Sequence, residues 1–335
     1  MGACIGEAVA GKKLGKRAMF LGALAQSIPD IDFISSFWND TASNLLAHRG
    51  FTHSFLFGIL ATVLFGLLAE HYHKQHKIGY KVWLLFFGLQ IGIHLFLDLF
   101  NAYGMGLLEP FWHTRFSLNM VFVADPFFSI WPAISFVALL ILKRSDKRRS
   151  FWWRFGVVVS CIYLFYCSFN KLTIDNDVRT DLAQQNITFT KYFTTPTPLN
   201  NWLWYIVVKD RNGFYIGYRS VFDRTSKIDF SYFNQNDSLL DPVKNHEEVQ
   251  HLIRFSQKYY IIERRQDTLV FNDLRFGQIV GWFDPNEHFV FHYFLQHPEK
   301  SNRLVVQRGR FAKWNWKPPG ILLKELKGTD HLCLK

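Results

Sequence analysis

The sequence predicts an α-helical polytopic membrane domain of four to five helices, followed by a small, β-rich α+β domain. Three observations carry that expectation. Up to about Phe169 the chain is strongly apolar and aromatic, and runs of near-spanning or spanning length recur at Phe55–Ala69, Val82–Ala102, Pro126–Leu142 and Phe151–Phe169. Short basic clusters separate these runs: Lys12/Lys13/Lys16/Arg17, His71–Lys81 and Lys143–Arg149. From Asn170 on, the composition becomes mixed, polar and turn-rich, with strand-type alternation. The expected domains are therefore residues 1–169, embedded in a membrane, and residues 170–335 outside it.

The average over the 335 residues conceals this division, since mean hydropathy is near zero. A net charge of +11 is compatible with nucleic-acid binding. Basic clusters placed between apolar runs fit membrane-flanking loops better, so no nucleic-acid partner is expected. The four cysteines form no disulfide framework. No cleavable leader is expected, and the apolar segments read as retained.

The elements follow in order. A small-residue stretch, GACIGEAVAG, precedes the first basic cluster and a short apolar segment, Ala18–Ile28, which ends in PDID at Pro29–Asp32. Asn39–Ala47 reads as a polar connector in which Asp40 or Thr41 can cap a helix. HRGFTHS, His48–Ser54, stands at the mouth of the first clear apolar helix, with Thr52 or Ser54 available as its cap. Val82–Ala102 is long enough to span yet carries His94 and Asp98. Tyr103–Ala124 reads as a loop, and Pro126 suits the first turn of the next helix, with Asp125 as its cap. Trp152, Trp153, Tyr163 and Tyr166 flank the last apolar run as an aromatic belt would. Beyond it, strands are expected at Trp202–Lys209 and Phe214–Ser220 around an Arg211-Asn212-Gly213 turn, and at Tyr259–Glu263, Thr268–Asn272, Gln278–Phe283, Phe289–Leu295 and Leu304–Arg308. Glu247–Gln257 reads as a short helix, and Thr194–Pro198 as a linker or loop.

Placing Lys143–Arg149 in the cytoplasm fixes an orientation. The other two basic clusters then also fall inside. Asp30, Asp32, His48, His53, His94, Asp98 and Asp125 fall on the outer side, and the C-terminal domain is extracytoplasmic.

His94 and Asp98, four apart, share a helix face. In a soluble helix such a pair is commonly structural; in an apolar span its burial cost favours function. Imidazole nitrogen with carboxylate oxygen suits zinc or a similar divalent ion. On one helix His48 and His53 would point about 140° apart, but Gly50 allows a turn that lets them converge. Asp30 and Asp32 read either as turn residues after Pro29 or as one ligand and one supporting carboxylate. Asp125 reads foremost as a cap. Glu109 and His113 are weaker metal candidates, and His71, His73 and His76 read as a solvated inner loop. Together the outer groups suit a mono- or dinuclear site that activates water for hydrolysis, with Arg49 or Arg115 holding an oxyanion.

PDID at 29–32, HRGFTHS at 48–54, HLFLD at 94–98 and PFWHTRFSL at 110–118 resemble the YdjM-like, LexA-regulated family of membrane-bound predicted metal-dependent hydrolases. The resemblance covers the first half of the chain; the β-rich part resembles that of longer relatives less specifically. It implies an integral inner-membrane protein with a metal site drawn from Asp30 or Asp32, His48 or His53, and His94 with Asp98. A more distant similarity to zinc-dependent phospholipase C implies phosphodiester or phospholipid chemistry. It also implies a Thr-His pair just before GACIGEAVAG, which is expected upstream of Met1.

The resulting expectation is a divalent-metal-dependent hydrolase, with zinc the expected ion. It acts on an ester or phosphodiester, lipid-linked or phosphate-bearing, at the outer face of the cytoplasmic membrane. Asp32, His53, His94 and Asp98 are the expected ligands. Asp30 and His48 serve as supporting or second-metal residues, and Arg49, Asp30 and His48 as the catalytic set. Two competing readings remain: a transporter or ion-binding protein using the same His/Asp set as a relay, and a membrane-anchored binding module with a structural metal.

Overall fold

The computed structural model describes residues 1–225, 227–279, 281–284, 287–295 and 305–306. The chain divides into two compact units. The first comprises Met1–Ile34, Ala47–Leu118 and Val123–Cys167; the second comprises Ser35–Leu46, Asn119–Phe122 and the described residues from Ser168 onward.

The first unit is helical. Helices α1 (Gly2–Leu14) and α2 (Lys16–Gln26) form a tight pair, and the chain then enters a 3-10 segment, Pro29–Phe37. A Cβ at Gly6 would lie 2.2 Å from the Ala18 carbonyl oxygen, so this close backbone approach requires glycine. After α3 (Thr41–Ala47), nearly all of which belongs to the second unit, and a 3-10 turn, Phe51–His53, come α4 (Phe55–Tyr72), α5 (Tyr80–Asp98), α6 (Pro126–Ile141) and α7 (Arg149–Gln184), whose residues from Ser168 on belong to the second unit. The caps of α4 and α6 form: Ser54 accepts from the Phe57 N–H, and Asp125 from the Phe128 N–H.

α4 is built inside out relative to a soluble helix. Its buried residues are Gly58, Ala61, Gly66 and Ala69, while Ile59, Leu60, Leu64 and Leu67 are exposed. Small residues let α4 approach α5 closely, with Gly58 against Ile91 and Leu95 and Gly66 against Leu84. The large apolar side chains suit a lipid solvent, not water. Among the described residues, three helices are long and apolar enough to cross a membrane, namely α4, α5 and α7, whereas α6 is a shorter apolar helix.

The second unit is β-rich. Strands β1 (Lys191–Pro196), β2 (Leu203–Lys209), β3 (Gly213–Ser220) and β4 (Ser231–Asn234) make one antiparallel sheet in sequence order. After α8 (Glu247–Phe255), β5 (Tyr260–Arg265), β6 (Thr268–Gln278), β7 (Phe289–Leu295) and β8 (Val305–Val306) make a second. Phe193, Tyr205, Val207, Phe214 and Ile216 of the first sheet share a core with Ile261, Leu274 and Phe289 of the second. The other face of β2, Trp204, Ile206 and Val208, is covered by Ile174, Val178 and Leu182 of α7.

Several expectations change. Thr194–Pro198 is no linker, because Thr194–Pro196 pair with Trp204–Ile206 inside β1. Of the strand expected at Gln278–Phe283, Gln278 ends β6 after a register shift against β7, 281–283 form a turn, and Val280 lies outside the described residues. GACIGEAVAG is helical throughout, its small residues packing against α2. Of the strand expected at Leu304–Arg308, all but Val305–Val306 lies outside the described residues.

Candidate metal centre

Four side chains, carried by three segments of the first unit, bring their ligand atoms together. Asp30 comes from the 3-10 segment after α2, His53 from the turn before α4, and His94 and Asp98 from one face of α5. His53 Nε2 lies 3.2 Å from His94 Nε2, 3.5 Å from Asp30 Oδ1 and 3.4 Å from Asp98 Oδ2. His94 Nε2 lies 3.6 Å from Asp30 Oδ1 and 3.7 Å from Asp98 Oδ2. All four atoms fall within 4.8 Å of one another.

These separations suit a single divalent ion. A tetrahedron with arms of about 2.0–2.1 Å has edges of about 3.3 Å. Asp98 Oδ2 is buried, with Arg49 Nε at 3.1 Å and His53 Nε2 at 3.4 Å, neither in good hydrogen-bond geometry. A donor set of two imidazoles and two carboxylates can hold such an ion.

Behind the four stands Asp32, whose carboxylate is almost wholly buried at 4% exposure. It accepts from the Arg49 N–H at 2.8 Å, from His48 Nδ1 at 3.1 Å and from the Thr52 hydroxyl at 3.2 Å, and lies 3.3 Å from His53 Nδ1. The carboxylate behind His53 fixes its ring and turns Nε2 toward the cluster. Burial works against the Asp32 charge, but these donors outweigh it and hold the carboxyl well below the usual carboxylate range. Burial likewise opposes charge on His53, yet Asp30, Asp32 and Asp98 outweigh burial and push its pKa up to about 10. The two aspartates thus differ in position from the sequence expectation: Asp30 faces the cluster, and Asp32 supports it.

Arg49 occupies the left-handed backbone region at φ 59°, and its side chain is buried. Its Nε lies 3.1 Å from Asp98 Oδ2, Nη1 donates to Asn101 Oδ1, and the guanidinium stands 5.0 Å from the Tyr103 ring centre. The Arg49 carbonyl accepts from the Gly106 N–H at 2.8 Å, tying the loop after α5 to HRGFTHS. Arg115 donates to the His48 carbonyl. His48 is the open member of the group, with its side chain 42% exposed and its ring 6.2 Å from that of His53.

The remaining candidates stand apart from the four-residue cluster. Glu109 and His113 pair with each other at 2.7 Å. Asp125 caps α6 and accepts from the Tyr163 hydroxyl at 2.8 Å. His71 lies in the last turn of α4, and His73 and His76 follow it before α5, at the end opposite His94. Sequence reasoning missed Asn101 and Tyr103. Asn101 follows Asp98 by three residues, and a second polar group one helical turn on was the available signal.

Comparison with known proteins agrees with the membrane character. The chain is 31% identical over 140 residues to the uncharacterized protein YfhP of Bacillus subtilis (strain 168), covering 37% of this chain and 42% of that protein. It is 30% identical over 115 residues to the inner membrane protein YbcI of Escherichia coli (strain K12), covering 34% of this chain and 65% of that protein. The chain thus spans less than two thirds of either relative. No solved structure matches it. The profile of the YdjM inner membrane protein family matches residues 1–174, and the chain belongs to that family.

Proposed function

We propose that this protein is a multi-pass, divalent-metal-dependent hydrolase of the cytoplasmic membrane. In this reading residues 1–169 form the membrane-embedded catalytic domain and residues 170–335 an extracytoplasmic domain. The substrate is an ester or phosphodiester reached at the outer face. The observation that carries the reading is the convergence of Asp30, His53, His94 and Asp98 at the end of a membrane-type helix, with their ligand atoms within 4.8 Å of one another and both imidazoles 3.2–3.7 Å from each other and from the two carboxylates.

Asp30, His53, His94 and Asp98 would hold the ion, with zinc the preferred fit to two imidazoles and two carboxylates. A bound divalent ion supplies Lewis acidity, polarising the substrate oxygen and favouring deprotonation of water. Asp32 orients two imidazoles at once. It holds His53 as a ligand, and it receives the Nδ1 proton of His48, which leaves His48 Nε2 as an acceptor at the exposed side of the cluster. His48 therefore takes a proton from the attacking water and returns it to the leaving oxygen. Arg49 positions Asp98 through its 3.1 Å contact and moderates the negative charge of the cluster.

Metal analysis of the purified full-length protein tests this reading. About one ion per chain is expected, and His94→Ala and Asp98→Asn should lose it. His48→Gln should retain the metal but lower hydrolysis of a phosphoester and ester panel by about 10²–10⁴-fold. Absence of bound metal would sink the proposal. Retained metal with no turnover on any member of the panel would assign the cluster to ion binding or structure instead.

A further inference from the structure

A second charged cluster lies in the β-rich unit, and its charge is of one sign. Lys191 of β1 and Lys209 of β2 are direct cross-strand partners. Like charges so placed are unfavourable unless a counter-charge joins them. Both ammonium groups sit over aromatic rings: Lys191 Nζ lies 4.0 Å from the centre of Tyr259, and Lys209 Nζ 5.5 Å from that of Phe214. Those rings are themselves 6.0 Å apart. Aromatic faces hold the cations in place without neutralising them.

A third lysine joins from the turn after α8. Gln257 and Lys258 both adopt left-handed backbone, at φ 52° and 64°, where non-glycine residues are strained. This turn brings the Gln257 carbonyl to 2.9 Å from Lys191 Nζ. Burial, then repulsion from Lys209, Lys258 and Arg275, pushes the Lys191 pKa down to about 8. Lys209 is lowered by burial and by Lys258, against Asp237. The nearby acids are already committed: Asp237 pairs with Lys244 at 2.8 Å, and Asp273 with Arg275 at 2.6 Å. Among the described residues, no carboxylate forms an ion pair with Lys191, Lys209 or Lys258.

We propose that Lys191, Lys209 and Lys258 form a binding site for a phosphate-class oxyanion. The Lys191 and Lys209 ammonium groups are held over rings, and that of Lys191 also on the Gln257 carbonyl, with charge to spare for a ligand bearing several oxygens. The site is independent of the metal centre. A phosphorylated lipid headgroup and a free phosphate share the recognised chemistry.

Carbon-13 reductive methylation of the full-length protein keeps every lysine charged and gives each a resolved signal, with Lys191 assigned by Lys191→Arg. After chelation to exclude a metal-held anion, the Lys191 and Lys209 signals should shift saturably with inorganic phosphate, at constant ionic strength. A shift on moving from phosphatidylcholine to phosphatidic acid nanodiscs, without one from inorganic phosphate, would identify the headgroup as the source. Lys209→Gln and Lys258→Gln should each weaken binding about tenfold, the loss of one charge-assisted contact. Lys227→Gln, outside the cluster, should not. No saturable shift from either source, or equal binding by Lys209→Gln and the unmodified sequence, would overturn the proposal.

Discussion

At the scale of single residues, Asp32 carries the most interactions for its size. One carboxylate receives a backbone N–H, a hydroxyl and two imidazoles. Asp32→Asn keeps the volume but presents an amide N–H₂ where only acceptors fit, and it removes the charge that orients His53. Metal affinity should fall by about 10–100-fold, and stability by roughly 1–3 kcal/mol. Isothermal titration with the ion and denaturant unfolding of the apo protein measure the two; an unchanged metal affinity would remove Asp32 from its supporting role. The pH dependence has a definite sign. The folded pKa lies below the unfolded value of about 3.9, so the Asp32 contribution is present above that value and lost as pH falls beneath it. Asp32→Asn should therefore flatten the acid limb of the apo protein's stability curve. The residue types of the site were legible in PDID, HRGFTHS and HLFLD, but the roles of the two aspartates were not. Two carboxylates two positions apart present the same chemistry in sequence, and the 3-10 path of Pro29–Phe37 decides which one faces His94.

At the scale of elements, helices of the first unit are joined by a buried ion pair that shares no residue with the candidate metal centre. Arg149, in the first turn of α7, donates to both carboxylate oxygens of Glu7 in α1, at 2.8 and 2.6 Å. It also donates to the carbonyls of Leu139 and Leu142, which end α6 without a following turn to satisfy them. Glu7→Gln would leave a buried guanidinium without its counter-charge, a loss of about 3–5 kcal/mol. Replacing Glu7 and Arg149 together with leucine and methionine should cost less than either single change. Unfolding of the detergent-solubilised variants reads the cycle, and additive single losses would show that the two charges do not act as a pair. The same elements show what the sequence could reveal. The apolar runs marked α4, α5 and α6 because a lipid-facing helix is apolar on nearly every side. α1 escaped notice because Gly2, Gly6 and Gly11 carry no helix propensity, and the close packing that stabilises it is tertiary. Thr194–Pro196 read as a loop for a similar reason, since proline and threonine gave no alternation and only pairing with β2 makes them a strand.

At the scale of the whole molecule, charge and length combine into a prediction about sidedness. The basic clusters around Lys12–Arg17, His71–Lys81 and Lys143–Arg149 alternate with the segments that carry the metal centre. The positive-inside rule predicts that they lie in the cytoplasm, which would direct the candidate metal centre outward. α6 is the element on which this depends. Its 16 residues rise only about 24 Å, against a hydrocarbon core of about 30 Å. Pro132 lies within it. Its C-terminal carbonyls, however, are satisfied by Arg149, so the helix need not lengthen to find partners. α7, at 36 residues, rises about 54 Å and has ample length to cross and continue into the second unit. With Cys161 and Cys333 replaced by serine, an impermeant maleimide applied to intact cells should label His113→Cys and Lys227→Cys. Lys147→Cys should be labelled only after permeabilisation. Labelling of His113→Cys and Lys147→Cys from outside, with Lys227→Cys protected, would mean that α7 crosses and α6 does not. The reverse pattern would turn the metal centre toward the cytoplasm, and the substrate would then have to be sought on that side.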